Sequence, residues 1–150
     1  MKGYWNRPDA TKDAIQDQWF YSGDAGYFDE EGYLFIHDRV KDMIVSGGEN
    51  IYPAEVENAL MSNPDIIDAA VIGVPDEKWG ESVKGFVVLK EGVELSSDEI
   101  ISYVKSQIAG YKCPRSIDFI ELLPRNPSGK VLRRELRAPF WEGKERNVGG

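Results

Sequence analysis

Residues 53–90, PAEVENALMSNPDIIDAAVIGVPDEKWGESVKGFVVLK, decide the fold because their hydrophobic spacing changes partway along. Pro53 suits the first turn of a helix, where its missing amide would go unpaired anyway. Val56, Ala59 and Leu60 then fall on one face to about Met61, at the i, i+3, i+4 spacing of a half-buried helix. Residues 66–74 and 82–90 read as two strands, the first continuously apolar and therefore expected at the centre of a sheet. A one-sided helix beside two apolar strands predicts an α+β unit, a small sheet flanked by helices.

C-terminal to this stretch, Ser96 and Glu99 stand in capping-box register ahead of Ile100, Val104 and Ile108, which recur every fourth residue of a predicted helix. SIDFI, residues 116–120, is a further short strand. Pro124 and Pro127 fence an exposed loop, and VLRRELR starts a last helix that Pro139 is expected to stop. Two helices on a small sheet then make a sound unit from about 41 to 138. N-terminal to it, Pro8 opens a short helix reaching about Ile15. QWFYSGDAGYFDEEGYLFIHDRV, residues 18–40, reads as aromatic-rich strands folding back through residues 29–32. This front end lacks a helix with an apolar stripe to cover its sheet, so it is expected to be an incomplete piece of a larger domain.

At 150 residues the chain suffices for one ordinary domain, or for a smaller one carrying part of another. Its 18 basic and 26 acidic residues give a net charge of -8, which argues against a general role on nucleic acid or anionic lipid. The charge is uneven: from Tyr111 onward nine cations face five acids, against nine and 21 before it. That basic end suits an anionic small molecule. The single cysteine, Cys113, excludes an internal disulfide and a thiolate metal cage, and a reducing cytoplasm fits best. The N-terminus has no apolar run of signal-peptide length, and the longest apolar stretch, residues 69–74, is too short to span a bilayer.

Three stretches bear chemistry. In NPSGKVLRREL, residues 126–136, Gly129 frees the backbone while the prolines stiffen the approach, so the Lys130 ammonium is presented on a shaped loop suited to a phosphate or a developing oxyanion. A phosphate-binding P-loop is excluded, since Pro124 and Val131 stand where that motif needs glycine and a hydroxyl. In SGGEN, residues 46–50, Gly47 and Gly48 permit close approach of a ligand, or simply make a tight turn. In YSGDAG, Asp24 beside Gly23 can accept hydrogen bonds from a diol or merely form a turn. Singly, each is as readily a surface loop. His37 and Cys113 have no partners at nucleophile or metal spacing and read as structural or incidental.

Together and in order, residues 19–57, VIGVPDEKWGE, YKCPRSI and LPRNPSGKVLRREL closely resemble the C-terminal end of AMP-forming acyl-CoA ligases, members of the adenylate-forming superfamily with luciferases and peptide-synthetase adenylation domains. The resemblance spans nearly the whole chain. It implies ATP-dependent adenylation of a carboxylic acid, here a fatty acid, followed by thioester formation with CoA. It also implies that Asp24 holds the ribose hydroxyls of the nucleotide, that Arg39 joins it there, and that Lys41 is the hinge. Gly47 and Gly48 would line the pantetheine tunnel, and Lys130 would be the adenylation lysine. Residues 1–38 would be the trailing β-rich remnant of a large N-terminal domain and 39–150 the lid domain. ATP and CoA are then substrates, Mg2+ is expected through the large domain, nothing is tightly bound, and no metal site is expected here. The partners are that large domain, ATP or AMP, CoA and the acid.

Ser22 replaces a commoner threonine and keeps the hydroxyl. Lysine rather than aspartate at the hinge is a variant such ligases also use. The tail LRAPFWEGKERNV resembles that of bacterial fatty-acyl-CoA ligases. The chain alone is expected to be nearly inactive. Two other readings stay open: a peptide-synthetase adenylation fragment, and a stand-alone binding module whose exposed strand edges would make a homodimer.

Overall fold

The structure, a computed structural model, describes residues 1–144. The end of the unit expected over 39–150 and residues 145–148 of the tail lie outside the described residues. Helix α1 (Pro8–Ala14) is followed by two separate hairpins, β1 (Ile15–Gln16) with β2 (Trp19–Phe20) and β3 (Asp24–Phe28) with β4 (Leu34–Arg39). A 3-10 turn, Val40–Asp42, leads into β5 (Ile44–Ser46), β6 (Glu49–Ile51), α2 (Pro53–Met61), β7 (Ile66–Asp76), β8 (Gly80–Leu89), α3 (Ser97–Lys105), β9 (Ser116–Phe119) and α4 (Arg133–Trp141).

The α+β expectation holds as a five-stranded sheet in the order β6-β5-β8-β7, with β9 parallel to β8. Helices α2 and α3 cover one face, over Ile44, Val56, Leu60, Val71, Val83, Val87, Ile100 and Val104. The opposite face buries Ala70, Ile72, Phe86, Val88 and Leu123 against Leu136 and Phe140 of α4. The capping box forms: the Ser96 amide donates to Glu99 Oε2 at 2.8 Å and the Glu99 amide to Ser96 Oγ at 3.3 Å.

Three expectations need correction. The apolar run of β7 does not put it at the centre; it is an edge strand, and β8 is central. Its side chains are apolar on both sides because α2 and α4 cover both faces. Side chains also occupy part of its open backbone edge, with Glu57 Oε1 accepting the Val71 amide at 2.8 Å and Trp141 Nε1 donating to the Gly73 carbonyl at 2.9 Å. Such covering blunts an edge that would otherwise recruit another strand. Pro139 does not stop α4, which starts at Arg133 and runs two residues past the proline. The lost amide bond is offset by Phe140, edge-on to Phe86 at 6.4 Å, and by the Trp141 anchor. Helix α3 ends at Lys105, so Ile108 packs on the core from beyond it. SIDFI forms β9 as expected, and beyond the strand's last residue the Ile120 amide still donates to the Val87 carbonyl of β8 at 3.0 Å.

Residues 1–41 contain no fully buried side chain. Trp19, Phe28, Tyr33 and Ile36 are each more than half exposed. Two side-chain contacts join the β3–β4 hairpin to α2 and its approach: His37 stacks on Tyr52 at 5.2 Å, and Asp38 accepts the Ala54 amide at 2.9 Å, capping α2 where Tyr52 offers no side-chain cap. His37 is thus a stacking residue, held also against Tyr27. No helix among the described residues is long and apolar enough to cross a membrane.

Candidate functional site

Asp24 begins β3 and Arg39 ends β4, and antiparallel register places them opposite each other. Their side chains pair at 2.9 Å, while Arg39 Nη1 donates to the Ser22 carbonyl at 2.8 Å. Gly23, at φ +74°, turns the chain so that the Asp24 amide meets Ser22 Oγ at 3.2 Å. With Tyr21, Val40 and Lys41 these residues line an open cleft of about 450 Å3. Three of the six expected site residues, Asp24, Arg39 and Lys41, therefore share one cleft. A carboxylate held beside a guanidinium there can receive neighbouring hydroxyls and leave the cation facing an anion.

Gly47 and Gly48 do not line that cleft. They are the two-residue loop of the β5–β6 hairpin, with Ser46 opposite Glu49 and φ values of +61° and +87°. Positive φ at both positions is what such a turn requires. Gly47 also donates its amide to the Trp79 carbonyl at 2.8 Å, and a Cβ there would sit 2.7 Å from the Trp79 ring. Gly48 has open space around it. Gly47→Ala is accordingly expected to cost about 1–2 kcal/mol from the left-handed backbone alone, plus displacement of the indole. Gly48→Ala should cost only the backbone part, a difference that urea unfolding of both variants would measure.

Lys130 lies elsewhere again, on a hairpin built by its neighbours. Asn126 Oδ1 accepts the amides of Ser128 and Lys130 at 3.0 and 2.9 Å and the Ser128 hydroxyl at 2.8 Å. The Asn126 amide closes the loop onto the Lys130 carbonyl at 2.9 Å, and Gly129 turns at φ +82°. Arg125 ties the loop to the sheet, donating to the Gly129 carbonyl at 2.5 Å and to Asp68 of β7 at 2.6 Å. Among the described residues no hydrogen bond or ion pair holds the Lys130 ammonium, which is exposed. The backbone is fixed while the cation stays available.

Sequence reading missed the residues that brace this loop. Asn126 had a signal, since asparagine two residues ahead of serine commonly folds back on the backbone. Arg133 and Arg137 had none beyond their charge. Arg133 forks onto Glu57 of α2, with Nη2 at 2.9 and 2.7 Å from its two oxygens, and stands 3.8 Å from Asp42. Arg137 pairs with Asp42 as well. Burial pushes the Glu57 carboxyl up against the opposing pull of Arg133, whose own cation is resisted by burial but favoured more by Glu57 and the nearby aspartates. These directions pull against each other, and the fork together with the Val71 amide favours the ionised pair, because both carboxylate oxygens only accept. Burial raises the Cys113 thiol, an inert setting for it.

The family model for the AMP-binding enzyme C-terminal domain matches residues 55–130. The fatty acid–[acyl-carrier-protein] ligase ScoC of Streptomyces coeruleorubidus is 49% identical over 148 residues, 99% of this chain and 28% of that protein. The long-chain-fatty-acid–CoA ligase FadD13 of Mycobacterium tuberculosis is 50% identical over 140 residues, 93% of this chain and 28% of that protein. Among solved structures, o-succinylbenzoate CoA synthetase from Bacillus subtilis, in complex with its acyl-adenylate intermediate, superposes with a TM-score of 0.85 at 42% identity. That match covers 100% of this chain and 29% of that one. The chain thus spans 28% of the length of these curated relatives.

Proposed function

Because the chain belongs to the AMP-binding enzyme C-terminal domain family, we propose that it is the lid portion of an AMP-forming carboxylic acid–CoA ligase whose acid is a fatty acid. Residues 1–38 complete a large N-terminal domain that binds the adenine and the acid, and the lid begins at Arg39. Asp24 receives the ribose hydroxyls of ATP and then of the acyl-adenylate, with Arg39 beside it. Lys130 neutralises charge as the carboxylate attacks the α-phosphate, a step that brings two anions together. Rotation at Lys41 then withdraws Lys130 and brings the Gly47–Gly48 hairpin to the pantetheine channel, so that the CoA thiol reaches the acyl carbonyl. Bound Mg2+ would offset phosphate charge. Its ligands are assigned to the large domain. The exposed aromatic face of β3 and β4 fits burial against that domain better than pairing with a second copy. A reaction that consumes ATP and CoA fits a cytoplasmic protein.

The observation that supports this reading most is the separation of charges: a carboxylate, a guanidinium and a lysine in one cleft at the Val40–Asp42 turn, and a second lysine on its own stiff loop. Similarity to ScoC favours a second acceptor, a carrier-protein thiol, at the same step. Exchange of this chain for the C-terminal part of a related ligase tests both acceptors. The chimera should form acyl-CoA or acyl-carrier protein from ATP and fatty acids, while the chain alone should not. A folded chimera making no acyl-adenylate would reject the reading, and robust turnover by the chain alone would reject the division of labour.

A further inference from the structure

Helix α4 has no fully buried residue, yet it begins three positions after Lys130 and would decide where that lysine goes. Apart from Leu136, Phe140 and Trp141, it is held by two arginines. Arg137 pairs with Asp42, which is only 8% exposed, and its Nη1 donates to the Lys41 carbonyl at 3.4 Å. Arg133 bridges Asp42 and Glu57, so two cations meet two carboxylates from the hinge turn and from α2. Arginine side chains here are 22% and 16% exposed, and desolvated ions are strongly destabilising if one partner is removed, which makes the arrangement single-valued. At the other end the Leu132 amide donates to the Pro124 carbonyl at 2.8 Å, closing the neck of the Lys130 loop onto the first turn of α4.

We propose that Arg137 and Arg133 are positioning residues for adenylation, keying α4 to the Lys41–Asp42 turn so that hinge rotation is delivered to Lys130 as rigid movement. The inference rests on the functional reading above for the roles of Lys41 and Lys130. A lysine that must meet a phosphate oxygen needs a stiff lever, whereas one that has only to be out of the way does not. Loss of Arg137 therefore slows the first half-reaction and spares the second. A lysine at 137 keeps the charge but cannot fork between the Asp42 carboxylate and the Lys41 carbonyl, so it restores the function partially.

The test has two arms. In the 150-residue chain, hydrogen exchange of amides 41–44 should quicken about 10-fold in Arg137→Gln, with amides 83–87 of β8 unchanged; local opening of one clasp does not open the core. Asp42→Asn should do the same, and the double variant should add little. In the ligase carrying this chain, Arg137→Gln should lower pyrophosphate exchange on the order of 100-fold, the effect of misplacing a reacting group by about 1 Å. Thioester formation from supplied acyl-adenylate should stay within about threefold, and Arg137→Lys should recover part of the loss. Equal losses in both half-reactions, an unchanged exchange reaction, or unaltered hinge amides would overturn the proposal. If Lys130→Ala itself adenylated normally, the functional reading would fall, and the hinge amides would still decide whether the arginines fasten α4 to the turn.

Discussion

Lys130→Ala in the ligase built on this chain is expected to lower acyl-adenylate formation on the order of 100- to 1000-fold, roughly 3–4 kcal/mol of transition-state stabilisation. The magnitude follows from what the loop does to the ammonium. Its backbone is fixed by Asn126 and by Arg125 bridging to Asp68, so a cation called on to meet a phosphate from this loop would have little left to order. None of those bonds uses the Lys130 side chain. The substitution should therefore leave the loop in place and the folding free energy within about 0.5 kcal/mol of the parent, as exposed changes do. Pyrophosphate exchange beside a denaturation curve would separate the two quantities. A 100-fold slower enzyme with an intact melting curve is the expected pair.

Leu60→Ala should be the most damaging single change to the fold. Leu60 is fully buried on α2, in the core shared with Val56, Val83, Val87 and Ile100. Truncation there removes buried methyl groups and leaves a cavity the rigid sheet cannot close, costing about 2–5 kcal/mol. For a unit of this size that lowers the thermal midpoint by roughly 10–25 °C, taking several degrees per kcal/mol. Ile67 on β7 is the contrasting site: it is 53% exposed, so its alanine variant should cost under about 1 kcal/mol. Calorimetry on the two variants should show that gap, and similar midpoints would mean that α2 does not seal the sheet.

What was legible in the sequence follows local chemistry. The one-sided spacing of Val56, Ala59 and Leu60 and the Ser96–Glu99 pair specify α2 and the start of α3 without knowledge of the rest, and both elements form. The paired glycines between β5 and β6 also form the tight turn their type allows. Position in the sheet was not legible, because an apolar run reports burial of both faces and says nothing about backbone neighbours. β7 satisfies that condition at an edge, through α4 on one side and α2 on the other. The arrest expected at Pro139 failed for a related reason, since Phe140 and Trp141 find tertiary partners that outweigh one missing amide.

The candidate site divides in the same way. Gly23, Gly47 and Gly129 marked the turns, and Asp24, Arg39, Lys41 and Lys130 were named from motif order. That Asp24, Arg39 and Lys41 meet in one cleft emerges only when β3 and β4 pair in register. The ion pairs of Arg133 and Arg137 join residues 76 and 95 positions apart in the chain, a separation at which charge carries no readable pattern.

The most direct test supplies purified acyl-adenylate and CoA to the ligase bearing Lys130→Ala and follows thioester formation in a single turnover. A lysine that acts at the phosphate and then leaves should make no difference to this step, so a rate within about threefold of the parent is expected alongside the crippled adenylation. A thioester rate reduced as severely as the adenylation rate would contradict it, since Lys130 would then be acting in both steps.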